Sequence, residues 1–111
     1  MRIDEQKQGA VLVLKPVGPL VGDACLELKA ALTAATQKTM GRYILDAAAV
    51  SFLDSAGLET LLDASEQLIR GGRILKLCAA NDTVRDALDL TGLAASFEHY
   101  DDVNAAVRSF L

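Results

Sequence analysis

The chain has 111 residues, with 11 Lys and Arg against 15 Asp and Glu and a formal net charge of −4. An acidic chain of this length holds one core and lacks the clustered basic charge that nucleic acid or an anionic membrane rewards, so neither is an expected partner. Apolar residues at 51% and charged residues at 23% exclude disorder, while one His, two Cys and no Trp leave little for a metal centre, a His-based catalytic centre or a base-stacking platform.

The N-terminal Met1-Arg2-Ile3-Asp4-Glu5 carries acid where a secretory signal is basic and then apolar. No stretch nears the roughly 18 apolar residues of a membrane span. A cytoplasmic address without direct membrane insertion is the expectation. Cys25 and Cys78 form no CxxC pair, and their aliphatic surroundings suit buried, reduced thiols.

Arg2 to Gln6 and Ala10 to Lys15 read as a hairpin turning at Lys7-Gln8-Gly9. Val17-Gly18-Pro19-Leu20-Val21-Gly22 follows as a loop, because glycine and proline break either ladder. Asp23 is placed to cap a first helix, whose Cys25, Leu28, Leu32 and Ala35 recur at helical spacing. Arg42 to Asp46 is a short strand. Leu58, Leu61, Leu62, Ser65, Leu68 and Ile69 mark one face of a second helix ended by Gly71-Gly72.

Arg73 to Cys78 is the next strand, and a short helix follows, capped by Asn81 or Asp82 and using Val84, Ala87 and Leu88. Ser96 to Tyr100 is a weaker last strand. The final helix starts at Asp101-Asp102 and spaces Val103, Ala106, Val107 and Phe110 helically. The order β-β-α-β-α-β-α-β-α predicts a single α/β domain over residues 1–111, with a mixed, largely parallel sheet and helices packed on it.

One segment exceeds what folding alone asks for. Ile44 to Asp46 ends a strand, a small-residue loop crosses the sheet edge, and Asp54-Ser55-Ala56-Gly57 leads into the second helix. The Ser55 hydroxyl then lies at a helix N-terminus, where open amides and the dipole favour negative charge such as a phosphate. A plain cap at Asp54 or Ser55, worth about 1 kcal/mol, is the commoner meaning of such spacing. Gly57 costs up to about 1 kcal/mol of helix propensity, so its missing side chain has a use, of which close approach of a partner's backbone is one. Spacing alone leaves these alternatives open.

LDAAAVSFLDSAGLETLL resembles the signature of STAS domains, shared by bacterial anti-sigma factor antagonists and the tails of sulfate transporters. GPL before the first helix, GGRILKLCAAN after the second and VRDALDLTGLAASFEHYDDVNAAV near the end fall in the family's order, so the resemblance spans essentially the whole chain. It implies an anti-sigma factor antagonist working by partner switching, with no catalytic residue and no cofactor. Ser55 would be the phosphoacceptor, with Asp54, Ala56, Gly57 and Leu58 beside it on the partner-binding surface. The implied partners are an anti-sigma factor serine kinase, a GHKL-type ATPase, and a serine phosphatase. Unmodified, the chain would bind the kinase; phosphorylated, it would release it. A STAS scaffold in a stressosome, or in a lipid or anion transporter complex, is the alternative that the resemblance also carries.

Three features depart from the family pattern. Ala56 replaces a second hydroxyl residue after the serine, Val21 replaces an acid after the first Gly-x-Leu, and Ala47-Ala48-Ala49 is less polar than usual. Other chemistries fare worse. A Ser55–His99 hydrolase lacks the first glycine of GxSxG, where Leu53 stands. A receiver built on Asp46 lacks acids after the first strand, and Asp4-Glu5 and Asp101-Asp102 suit solvated termini better than a metal.

Overall fold

Ten consecutive residues form the strand around which the sheet is assembled, even though they include two prolines and a glycine. The computed structural model describes all 111 residues. In chain order they form β1 (Arg2–Gln8), β2 (Val11–Leu20), α1 (Asp23–Thr39), β3 (Tyr43–Asp46), β4 (Val50–Leu53) and α2 (Ser55–Arg70). There follow β5 (Lys76–Cys78), α3 (Asp82–Leu90), a 3-10 turn at Ala94–Ser96, β6 (Glu98–Tyr100) and α4 (Val103–Arg108).

β1 and β2 are antiparallel, with Gln8 opposite Val11 across a Gly9-Ala10 turn. Gly9 takes φ 64°, the left-handed region a tight hairpin turn requires. The other pairings are parallel, and the main path runs β1-β2-β3-β5-β6. β2 serves two parallel neighbours: Leu12 to Leu14 pair β3, whereas Gly18 and Leu20 pair β4. The sheet is thus mixed and largely parallel, as expected.

Strand periodicity sorts the core into two layers. Leu12, Leu14, Leu45 and Leu77 face a large cluster completed by α1, α2 and α3, through residues such as Leu28, Leu32, Leu61, Leu68, Val84 and Leu88. Their neighbours Val11, Ile44 and Cys78 face the opposite side, which Ala106 of α4 covers with Val103, Val107 and Phe110. Both cysteines are free and buried. No helix is long and apolar enough to cross a membrane.

Four expectations change. The Val17–Leu20 loop is strand: pairing with β3 stops at Leu14, so Pro19 interrupts no ladder there, and a register irregularity between Gly18 and Leu20 absorbs Gly18's φ of 108°. A strand, β4, occupies part of what reads as a loop before the second helix. Asp23 lies in the first turn of α1 rather than capping it, since Gly22 holds the cap position without a side-chain bond. α2 is rotated: Gly57, Thr60, Leu61, Ala64, Ser65 and Leu68 are its buried residues, while Ile69 is exposed.

Candidate functional site

The site is assembled at the C-terminal ends of β2 and β3, where the chain leaves the sheet and returns. Asp46, the last residue of β3, is buried, and its Oδ1 accepts a 3.0 Å hydrogen bond from the Ala48 amide, which turns the chain. The Ala47 amide donates to the Cys78 carbonyl at 3.0 Å, and the Gly18 amide donates to the Ala49 carbonyl at 2.9 Å. These bonds tie the Ala47–Ala49 loop to β5 on one side and β2 on the other. β4 then runs along the end of β2 and delivers Asp54 to the start of α2.

Asp54 is the N-cap. Its backbone is extended, its Oδ1 accepts from the Gly57 amide at 2.9 Å, and its carbonyl accepts from the Leu58 amide at 3.0 Å. The Leu58 bond is the first of the helix ladder, so the Asp54 side chain satisfies one orphan donor, the Gly57 amide, and those of Ser55 and Ala56 remain open. Ser55 is the first helical residue and is exposed, as is Ala56; Leu58 is half-buried. A negatively charged group on the Ser55 oxygen would meet open amides and the positive end of a 16-residue helix.

Gly57 lies apart from this surface. It is buried, and a Cβ built there would stand 2.4 Å from the Leu20 carbonyl oxygen and 3.0 Å from the Leu53 Cβ. The backbone that approaches Gly57 closely is therefore the chain's own, at the end of β2. This contact sets the depth at which the first turn of α2 sits on the sheet, and with it the height of Ser55.

Two further residues, Phe52 and Asn81, bear on the site. Phe52 on β4 is 55% exposed, and it places an apolar surface three residues before Ser55. Asn81 does cap α3, its Oδ1 accepting from the Val84 amide at 3.0 Å, but its Nδ2 also faces the carbonyls of Ala47, Ala48 and Val50. The cap was legible from the position of an Asn before a helix; the reach back to the loop, 31 to 34 residues away, was not.

The structure does not unite Ser55 with His99. His99 is exposed on β6, separated from β2 by β3 and β5, and its Nε2 lies 2.7 Å from the Ala94 carbonyl. No group of three His, Cys, Asp or Glu side chains is placed to hold a metal ion.

Comparison with known proteins agrees with this arrangement. The family model described as STAS domain matches residues 2–106. A protein of Bordetella bronchiseptica, BtrV, provisionally described as an anti-sigma factor antagonist, is 26% identical over 110 residues, covering 99% of this chain and 95% of that protein. A Thermotoga maritima structure with the same provisional description superposes with a TM-score of 0.87 at 20% identity, covering 96% of this chain and 92% of that one. The anti-sigma factor antagonist SpoIIAA of Bacillus superposes in its unphosphorylated form with a TM-score of 0.79 at 20% identity, over 98% of this chain and 96% of its own. Its phosphorylated form gives 0.74 at 18% identity, over 99% and 100%. With 105 of its residues, 2–106, inside the matched span, the chain belongs to the STAS domain family.

Proposed function

We propose that this chain is an anti-sigma factor antagonist switched by phosphorylation of Ser55. The observation that carries the reading is the exposed Ser55 hydroxyl on the first residue of α2, beside amides that Asp54 leaves open. The names of BtrV and SpoIIAA, and the existence of SpoIIAA in unphosphorylated and phosphorylated forms, support it. The unmodified chain binds an anti-sigma factor serine kinase of the GHKL type through the segment holding Phe52, Asp54, Ser55, Ala56 and Leu58. Bound partner excludes water from an apolar and largely uncharged surface. A phosphate adds about −1.5 to −2 charges at pH 7, which the helix amides tolerate in solvent but a closed interface does not. A serine phosphatase restores binding. The chain supplies an acceptor hydroxyl and a contact face, and the kinase supplies the catalysis.

Incubation with a GHKL-type serine kinase and ATP is expected to add one phosphate, located at Ser55 by tandem mass spectrometry and absent from Ser55→Ala. Phosphate retained in Ser55→Ala would overturn the assignment. Calorimetry should show Ser55→Glu binding the kinase more weakly than the unmodified chain; equal affinity would replace switching with a scaffold role.

A further inference from the structure

The side chain of Asn81 is shared between two elements. Its Oδ1 faces α3 and accepts from the Val84 amide at 3.0 Å. That bond fixes the orientation of the amide and aims Nδ2 the other way, at the Val50 carbonyl at 2.8 Å, the Ala48 carbonyl at 3.2 Å and the Ala47 carbonyl at 3.4 Å. The remaining carbonyl of this stretch, that of Ala49, is taken by the Gly18 amide. Every carbonyl from Ala47 to Val50 thus has a partner within the fold: the two N–H groups of Asn81 serve those of Val50 and Ala48, and that of Ala47, the longest of the three contacts, also accepts from the Val50 amide at 3.4 Å.

The anchored stretch leads directly to the acceptor. Val50 opens β4, and β4 has β2 as its one strand partner, through an irregular register. A strand held on one side by so short a ladder needs a second support, and α3, which packs beside β4, provides it through Asn81. Capping alone does not demand asparagine, because Ser, Thr and Asp cap comparably. Among the common cap side chains only Asn offers an acceptor to the helix together with an N–H pair for the loop.

We propose that Asn81 is a positioning residue for Ser55, holding the Ala47–Val50 stretch so that β4 presents the acceptor in a fixed place. This rests on the reading of Ser55 as a phosphoacceptor. The test uses the full chain carrying Asn81→Ser and, separately, Asn81→Asp, which keep the helix cap and remove the donors.

Amide hydrogen exchange is expected to quicken about tenfold at Ala48, Val50 and Gly18, with Val84 and Leu32 unchanged. With the serine kinase of the phosphorylation assay, kcat/KM for Ser55 should fall about fivefold to tenfold, mainly through KM, as expected when recognition rather than chemistry is disturbed. Unchanged exchange in the loop would overturn the anchoring. Faster exchange with an unaltered kcat/KM would overturn the positioning role. Absence of phosphate on the unsubstituted chain would instead refute the acceptor reading, while the exchange data still report on the anchoring.

Discussion

Replacing Gly57 with alanine sets two effects of opposite sign against each other. Helix propensity alone favours alanine by about 1 kcal/mol in the interior of a helix. The local geometry opposes it. The new Cβ would lie 2.4 Å from the Leu20 carbonyl oxygen, about 1 Å inside ordinary contact, and 3.0 Å from the Leu53 Cβ. Leu20 is a buried strand residue, so its carbonyl cannot swing aside as the end of a flexible side chain would. Overpacking of this kind costs about 1–3 kcal/mol, and a clash with backbone belongs at the upper end. The net expectation is a loss of about 2 kcal/mol. With a slope of about 2 kcal/mol per M, the urea midpoint drops by about 1 M at unchanged slope. Gly71→Ala is the control, because its nearest contact is 3.5 Å away and its φ is −91°, so its midpoint should barely move. A Gly57→Ala midpoint equal to or above that of the parent would refute the close-packing argument and return Gly57 to a role at a partner surface.

The remaining expectations concern the cap and the core. Asp54→Ala removes the acceptor for the Gly57 amide and should cost about 1 kcal/mol. Asp54→Asn should retain most of that stability, and equal urea midpoints for Asp54→Ala and the parent would refute the cap. Burial, reinforced by the carboxylates of Asp46 and Asp102, pushes the Cys78 thiol from 9.0 up to about 12. As pH rises the unfolded chain gives up this proton first, so the contribution of Cys78 is fully present below pH 9 and is lost between about pH 9 and 12. Burial raises the Tyr43 phenol as well, so the slope should flatten in Cys78→Ala without vanishing. Denaturant titrations across that range showing the same slope in both proteins would contradict this.

The first helix was legible because its signal is local. Cys25, Leu28, Leu32 and Ala35 recur at helical spacing and all four are buried. The alternating strands and helices likewise conveyed a largely parallel sheet, because a buried parallel strand needs a helical crossover. β4 was hidden for a physical reason. Ser51 and Phe52 are both exposed between buried Val50 and Leu53, so the strand shows no period of two, and its partner lies some 30 residues earlier. The same pairing makes strand of Val17–Leu20, where local propensity argues for a loop. At the site, Asp54 and Ser55 could be placed at a helix start from residue type, although which of them caps required coordinates. The sequence flagged Gly57 as costly without saying what approaches it. Leu20 is 37 positions away, and no local pattern encodes that contact.

β2 divides its work along its length. Its first half, through Leu12 to Leu14, is stitched to β1 and β3 and carries the core on both faces. Its last residues, Gly18 to Leu20, hold β4 and the first turn of α2. Changes in the first half are felt by the whole molecule. Changes at exposed Pro19, or in the bulge at Gly18, reach β4 and the segment that carries Ser55 while leaving the Leu12–Leu14 ladder in place. The end of one strand can therefore change, and with it the setting of β4 and the start of α2, without rebuilding the interior.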